Sequence, residues 1–294
     1  MRNIDTLLAI PIKADSANLI INEVLFNPFP NSYDFVEIYN RSKNIIDLKD
    51  IKIASFDDSM HIKYAYPISY QSKILYPEDY IVLSENPSDI ESQYLCKYPD
   101  RLYKTDLPTY SDDEGIVVLL NQNNQIIDIF NYSKDMHFAL LDDEEGVSLE
   151  RLSFEEKTSN PSNWHSAASS YGYGTPTYQN SQFSESEVGE KELWLDPEVF
   201  SPDGDGYNDI LKINYAFNDA NNFGRIRIFD IAGRLVKELV NNDLFGFEGF
   251  YTWDGVNDMG ELSPSGVYIV VAEINNLNGN TFKYKRSCTL ARSQ

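Results

Sequence analysis

Apolar and polar residues alternate in short runs along this chain, and the 3.6-residue apolar period of a helix is scarce. Residues 17–25 form a β-branched run, and Asp34-Phe-Val-Glu-Ile-Tyr39 alternates with Asn40-Arg-Ser-Lys-Asn44 as its turn. Further strands are predicted at 51–53, 80–83, 115–120, 125–130 and 147–152, with Asn121-Gln-Asn-Asn124 joining two of them as a hairpin. One short helix is predicted over 89–95, with Ser88 as its cap and Glu91 in the capping-box position. Residues 179–192 are polar, acidic and mostly without apolar periodicity, as in a solvated linker. A second strand series follows at 210–217, 225–230, 234–239, 266–274 and 282–290, with Ile231-Ala-Gly233 as a tight turn. Short strands at this spacing predict an all-β fold of sandwich or barrel type.

The expected organisation is a first domain over 18–180, a linker over 181–192 and a second domain over 193–294. Few contacts are expected to cross the linker, so the domains are expected to fold independently. Residues 1–17 read as the tail of an upstream region, with Met1 added at a cut site; on that reading the chain is the C-terminal part of a longer protein. The segments around 55–73 and 86–113 are longer than a plain sandwich needs and are expected to be insertions that can hold a site.

Composition narrows the function classes. The 294 residues include 20 Tyr and 16 Phe, and 42% are hydrophobic, enough for two cores. The net charge of −22 repels phosphate backbones and anionic membrane surfaces, so neither nucleic acid nor direct membrane insertion is expected. The 2 Cys, at 96 and 288, form no disulfide framework and no thiolate metal site, and leave the redox compartment open. The 3 His are scattered, and no Gly-x-Ser-x-Gly elbow occurs, so no catalytic residues are assigned and the chain is not expected to be an enzyme. Paired carboxylates, such as Asp112-Asp-Glu114, are too common here to single out a site and read as solvated turns.

Two groups of charged residues stand apart. In Phe200-Ser-Pro-Asp-Gly-Asp-Gly-Tyr-Asn-Asp209, the carboxylates of Asp203, Asp205 and Asp209 alternate with glycines that let the backbone curl. Ca²⁺ takes about 6–8 oxygens, and a loop of Asp203, Asp205, Asp209 and a Tyr207 carbonyl supplies several. No glutamate closes the loop at the twelfth EF-hand position, so it is a different, structural calcium loop or an Asp/Gly turn. Asp254 and Asp258 are further candidates to complete a cation shell. Glu23, Glu37 and Arg151 fall inside strands that should be half buried, where a charge needs a partner. A structural ion pair between Arg151 and one of the two glutamates is expected, with a binding role as the alternative.

Several stretches resemble known families. Ile21-Asn-Glu-Val-Leu25, Asp34-Phe-Val-Glu-Ile-Tyr-Asn40, Gly146-Val-Ser-Leu-Glu-Arg151, Asn163-Trp-His165 and Gly172-Tyr-Gly-Thr-Pro176 together resemble a bacterial lamin-tail domain. Phe200–Asp209, Ile228-Phe-Asp-Ile-Ala-Gly-Arg234, Trp253-Asp-Gly255 and Pro264-Ser-Gly-Val-Tyr268 resemble the immunoglobulin-like domain of flagellar hook-capping proteins and of gliding-associated, type IX-secreted surface proteins. The resemblances imply two immunoglobulin-like β-sandwiches in tandem joined by an acidic linker. They also imply a secreted or outer-surface location and a last domain serving export or attachment. The expected function is a non-catalytic surface module, monomeric, with a protein or glycan partner. The alternatives are an accessory region of a secreted nuclease or phosphatase whose catalytic domain lies upstream, or a glycan-binding module using tyrosines such as Tyr64, Tyr66 and Tyr70.

Overall fold

Period-two alternation becomes strand nearly everywhere it occurs. The computed structural model describes residues 10–16, 18–139, 141–183, 193–203, 207–217, 222–276 and 279–291. The chain divides into two units, the first comprising residues 1–137, 143–166 and 173–180, the second 138–142, 167–172 and 181–294.

In the first unit the strands are β1 (Leu19–Leu25), β2 (Phe35–Asn40), β3 (Ile46–Asp47), β4 (Lys52–Phe56), β5 (Ile62–Pro67), β6 (Ile74–Leu75) and β7 (Tyr80–Ser84). Helix α1 (Pro87–Gln93) follows, then β8 (Leu102–Lys104), β9 (Glu114–Leu120), β10 (Ile126–Ser133), β11 (Leu149–Arg151) and β12 (Trp164–Ser166). A six-stranded sheet, β12-β11-β1-β2-β7-β8, faces a four-stranded one, β10-β9-β4-β5. Leu19, Ile21, Val36 and Ile38 from the first meet Ile53, Val117, Leu119 and Phe130 from the second in one core. The other face of β1 and β2 is also buried, because Leu25, Phe35 and Val82 pack under Ile90 and Tyr94 at α1.

The helix starts earlier than Ser88. Pro87 occupies the first turn, where its fixed φ suits the helix and its missing N–H costs nothing, so Asn86 becomes the flanking residue. Residues 55–73, expected as an insertion, contain β5, a regular edge strand paired with β4. Ile12 bridges to Ile46, and Ile12 and Ala14 pack against the core, so residues 12–14 belong to the first unit.

The second unit holds β13 (Leu193–Asp196), β14 (Val199–Phe200), β15 (Leu211–Ala216), β16 (Asn222–Asp230), β17 (Leu235–Phe245), β18 (Glu248–Trp253), β19 (Gly266–Asn275) and β20 (Thr281–Leu290). A three-stranded sheet, β13-β15-β18, and a five-stranded one, β14-β20-β19-β16-β17, enclose Phe200, Tyr215, Phe245 and Trp253. The strand β20 lies inside its sheet, antiparallel to β19 and parallel to β14. Of the segment read as a linker, Ser181, Gln182 and Phe183 are buried members of the second unit, and 184–192 lie outside the described residues.

Candidate functional site

Strand register assembles an unusual row of acids. Glu37 on β2 stands opposite Glu23 on β1, which stands opposite Glu150 on β11, which in turn faces His165 on β12. All three glutamates are fully buried. Glu23 shares its face with Leu25, and Glu37 shares its face with Phe35, because side chains two apart on a strand point the same way.

Residues 173–180 lie over this row as a strap and satisfy it. Thr175 donates its backbone N–H to Glu23 Oε1 at 2.8 Å, and its hydroxyl donates to Glu150 Oε1 at 2.6 Å. Thr177 donates its N–H to Glu37 Oε2 at 2.6 Å, and Asn22 Nδ2 donates to Glu37 Oε1 at 2.8 Å. The Ser148 hydroxyl donates to Glu23 Oε1 at 2.5 Å. Asn180 Nδ2 donates to the carbonyls of Asn22 and Arg151, both at 3.0 Å. Burial pushes the Glu23 carboxyl up to about 8, with the Glu150 charge adding and the Ser148 and Thr175 hydrogen bonds opposing. Glu37 is raised well above the usual carboxylate range, first by burial and then by Glu23. Like charges this close, out of water, hold protons at neutral pH.

Arg151 does not pair with Glu23 or Glu37. It follows Glu150 directly on β11, so alternation sends it to the opposite face of the sheet. There, at 1% exposure, it donates through Nε to Ile21 O at 2.8 Å, through Nη1 to Glu156 O at 2.9 Å and through Nη2 to Thr158 Oγ1. Its ion-pair partner is Asp128 on β10, 3.7 Å away, and Trp164 lies under the guanidinium at 5.3 Å. Burial lowers Arg151 to about 10. Asp128 accepts from Ile21 N and Thr158 Oγ1, both at 2.8 Å, and burial still raises its carboxyl. Nothing in the 125–130 alternation marks Asp128; the register shift between Ile126 and Asp128 reorients that part of β10.

The acidic loop is closed at its neck. Ser201 N donates to Asn208 O at 2.8 Å, and the Ser201 hydroxyl donates to Asp203 Oδ2 at 3.0 Å. Tyr207 is 74% exposed and Asp209 half-buried, while Gly204, Asp205 and Gly206 lie outside the described residues. Among the described residues no group of three acids, histidines or cysteines is placed to hold a metal. A side chain at Gly255 would press on Pro202, so the Trp253-Asp254-Gly255 turn abuts the loop's base. Asp254 accepts from Val256 N in that turn, and Asp258 accepts from Glu238 N beside Lys237.

The tyrosines proposed as a sugar-stacking face divide. Tyr70 is 79% exposed and Tyr64 44%, whereas Tyr66 packs against the core. His137 Nδ1 lies 2.9 Å from the Ser166 hydroxyl, but Ser166 is sealed from solvent and burial lowers both His137 and His165 to about 4. These imidazoles are neutral packing groups.

Comparison with known families fits this architecture. Residues 13–134 match the lamin tail domain and residues 195–287 the CHU_C type IX secretion signal domain. The chain pairs a lamin tail domain with a type IX secretion signal domain. A secretion signal domain of this type implies a secreted or surface-attached protein, and no described helix is long and apolar enough to cross a membrane. Among solved structures, PorZ, a surface component of the type IX secretion system of Porphyromonas gingivalis, aligns at 13% identity and a TM-score of 0.28, covering 92% of this chain and 39% of that one. Dimeric latent PorU of the same organism aligns at 10% identity and a TM-score of 0.26, covering 100% of this chain and 22% of that one. A tetra-tandem repeat from the extending region of a large adhesion protein aligns at 12% identity and a TM-score of 0.22, covering 93% and 74%. Thus the chain spans well under half the length of PorZ and PorU. Alignments this loose carry no function. No curated protein matches the chain.

Proposed function

We propose that this chain is a non-catalytic interaction module displayed outside the cell, with the second unit directing its export and the lamin tail domain presenting the binding surface. The observation that carries the reading is the secretion-signal match over 195–287, directly following a β-sandwich whose buried charged residues are engaged in holding its own structure. The three buried glutamates hold the 173–180 strap, and Arg151 ties Ile21, Glu156 and Thr158 together. Catalytic acids and bases need access to substrate, which these groups lack. The surplus of surface acid keeps such a protein soluble after export.

The test is localisation of the tagged full chain in a host with a working type IX system. Surface or medium accumulation is expected, with retention inside the envelope when residues 193–294 are deleted. Equal export of the deleted chain would overturn the assignment of the second unit. The same purified protein is expected to turn over no nuclease, phosphatase, esterase or glycosidase substrate.

A further inference from the structure

We propose, resting on the export reading of the second unit, that the outward face of its five-stranded sheet docks an acidic, apolar-studded surface of a partner protein during export. Ile226, Ile228, Val270, Ala272 and Cys288 point from this sheet into the core, so the residues between them point out. Register sets the outward residues in three rows. Arg225, Glu273 and Lys283 stand side by side across β16, β19 and β20. Arg227, Val271 and Lys285 form the next row, and Phe229, Ile269 and Ser287 the third. Rows lie about 7 Å apart along the strands, and neighbours about 5 Å apart across them.

The cations of this face are held in place. Glu273 Oε2 accepts from Arg225 Nε at 2.5 Å and from Arg227 Nη2 at 3.2 Å, and Oε1 accepts from Lys283 Nζ at 2.8 Å. The Lys283 and Arg225 hydrogen bonds hold its carboxyl down to about 2, so it stays ionised. One acid thus orients three cations and leaves the group positive. Lys285, also exposed, takes no part in these pairs. Glu238, opposite Arg227 on β17, adds a second acid. Four cations therefore face two acids here, in a chain whose net charge is −22. Charges more than about 8 Å away are screened at physiological salt, so the local surplus governs docking.

An apolar strip adjoins the cations. Phe229, Ile269 and Val271 are half-buried, and Val267 and Leu235, the latter opposite Phe229 on β17, are exposed beside them. The Arg227 guanidinium lies 5.6 Å from the Phe229 ring centre, which joins the charged rows to the apolar one. Beside the first row, a cavity of about 390 Å³ is lined by Asn241, Asn242 and Asn275 together with Arg225 and Lys283. Its side-chain amides both donate and accept, as a partner's main chain requires.

This mixture selects the kind of partner. An apolar centre with arginine beside it is the make-up of a protein interface. An anionic glycan would use the cations and leave the apolar strip in water. Membrane-surface segments sink apolar side chains about 5–10 Å into the headgroup boundary, a reach that half-buried residues within a sheet lack. A protein surface that offers carboxylates to Arg225, Lys283 and Lys285 and apolar side chains to Val271 and Ile269 uses both parts.

Localisation of the tagged full chain in a host with a working type IX system tests the face. Lys285→Glu breaks none of the ion pairs and should lower the surface or medium fraction about tenfold, because it sets like charge against like across the interface. Val271→Thr, which keeps the side chain's shape and adds a hydroxyl, should also lower it. Lys285→Arg should be exported like the parent, as should Lys212→Glu on β15 of the other sheet. All purified variants should melt like the parent, which should neither sediment with phosphatidylglycerol vesicles nor be held by immobilised heparin. Export of a chain lacking residues 193–294 would defeat the export reading itself. Retention of that chain with normal export of Lys285→Glu would defeat only the docking face. The proposal is overturned by normal export of Lys285→Glu or Val271→Thr, or by retention of Lys285→Arg or Lys212→Glu. It is equally overturned if the retained variants melt below the parent, or if the parent binds vesicles or heparin and Lys285→Glu abolishes that binding.

Discussion

At the scale of residues, the acids Glu23, Glu37 and Glu150 and the base Arg151 sit on opposite faces of one sheet, and that separation governs how the first unit responds to pH. The folded state holds the Glu23 proton up to about pH 8, against an ordinary value of 4.5, and Glu37 is displaced the same way. A folded-state pKa above the unfolded one means stability is fully present below the unfolded value. It is lost as pH rises through the folded one, at up to about 1.4 kcal/mol per pH unit for each proton that differs. Buried neutral His137 and His165 work the other way, adding stability as pH rises to 6.5, so the first unit should melt lower chiefly between pH 6.5 and 8. Glu23→Gln should flatten that decline, and melting curves of both proteins across the window check it. Arg151→Met strands Asp128 and removes the donors to the Ile21 and Glu156 carbonyls, the first of them buried, so a loss of about 3–5 kcal/mol is expected. Lys134→Met breaks only an exposed, solvent-screened pair with Asp113 and should cost far less. Chemical denaturation of both variants makes the comparison; equal losses would mean that Arg151 is not a buried anchor.

At the scale of elements, the alternation at 35–40 and 266–275 was legible because one side of each strand faces a core. The same rule would have excluded an Arg151–Glu23 pair, since Glu150 and Arg151 are neighbours on β11. Asp128 was hidden by the register shift in β10. The strand β5 was obscured because Ile62, Lys63 and Tyr64 lie exposed at a sheet edge, where apolar and charged residues mix. For the acidic loop the spacing of Asp203, Asp205 and Asp209 remains the basis of a calcium proposal. A ligand bound only by the folded state stabilises by about 2.7 kcal/mol at a hundredfold excess over Kd. Calcium should thus raise the melting temperature of the second unit, and Asp205→Ala should abolish the rise. A parent protein that melts identically in calcium and in chelator would reduce the loop to a turn.

At the scale of the whole molecule, the second unit recruits residues from within the span assigned by sequence to the first domain. Ser170 Oγ lies 2.6 Å from Tyr215 OH, Ser169 donates to Leu244 O at 3.1 Å, and Phe138 packs against Phe223. A fragment of residues 181–294 lacks all three contacts. It should melt several degrees below the same unit in the full chain, read by calorimetry, and a matching melting temperature would show those segments to be dispensable.

The interior placement of β20 also bears on timing. Thr281–Leu290 separates β14 from β19, and its partner Val199–Phe200 lies some ninety residues earlier in the sequence. Pairings that span long loops form late, because closing the loop precedes any gain. As the chain emerges from the ribosome, the first unit has every strand it needs once residue 180 is out. The second must wait with two open edges for a strand that arrives a hundred residues later, and during that interval it is the part of the molecule still pliable enough to be handed to another protein.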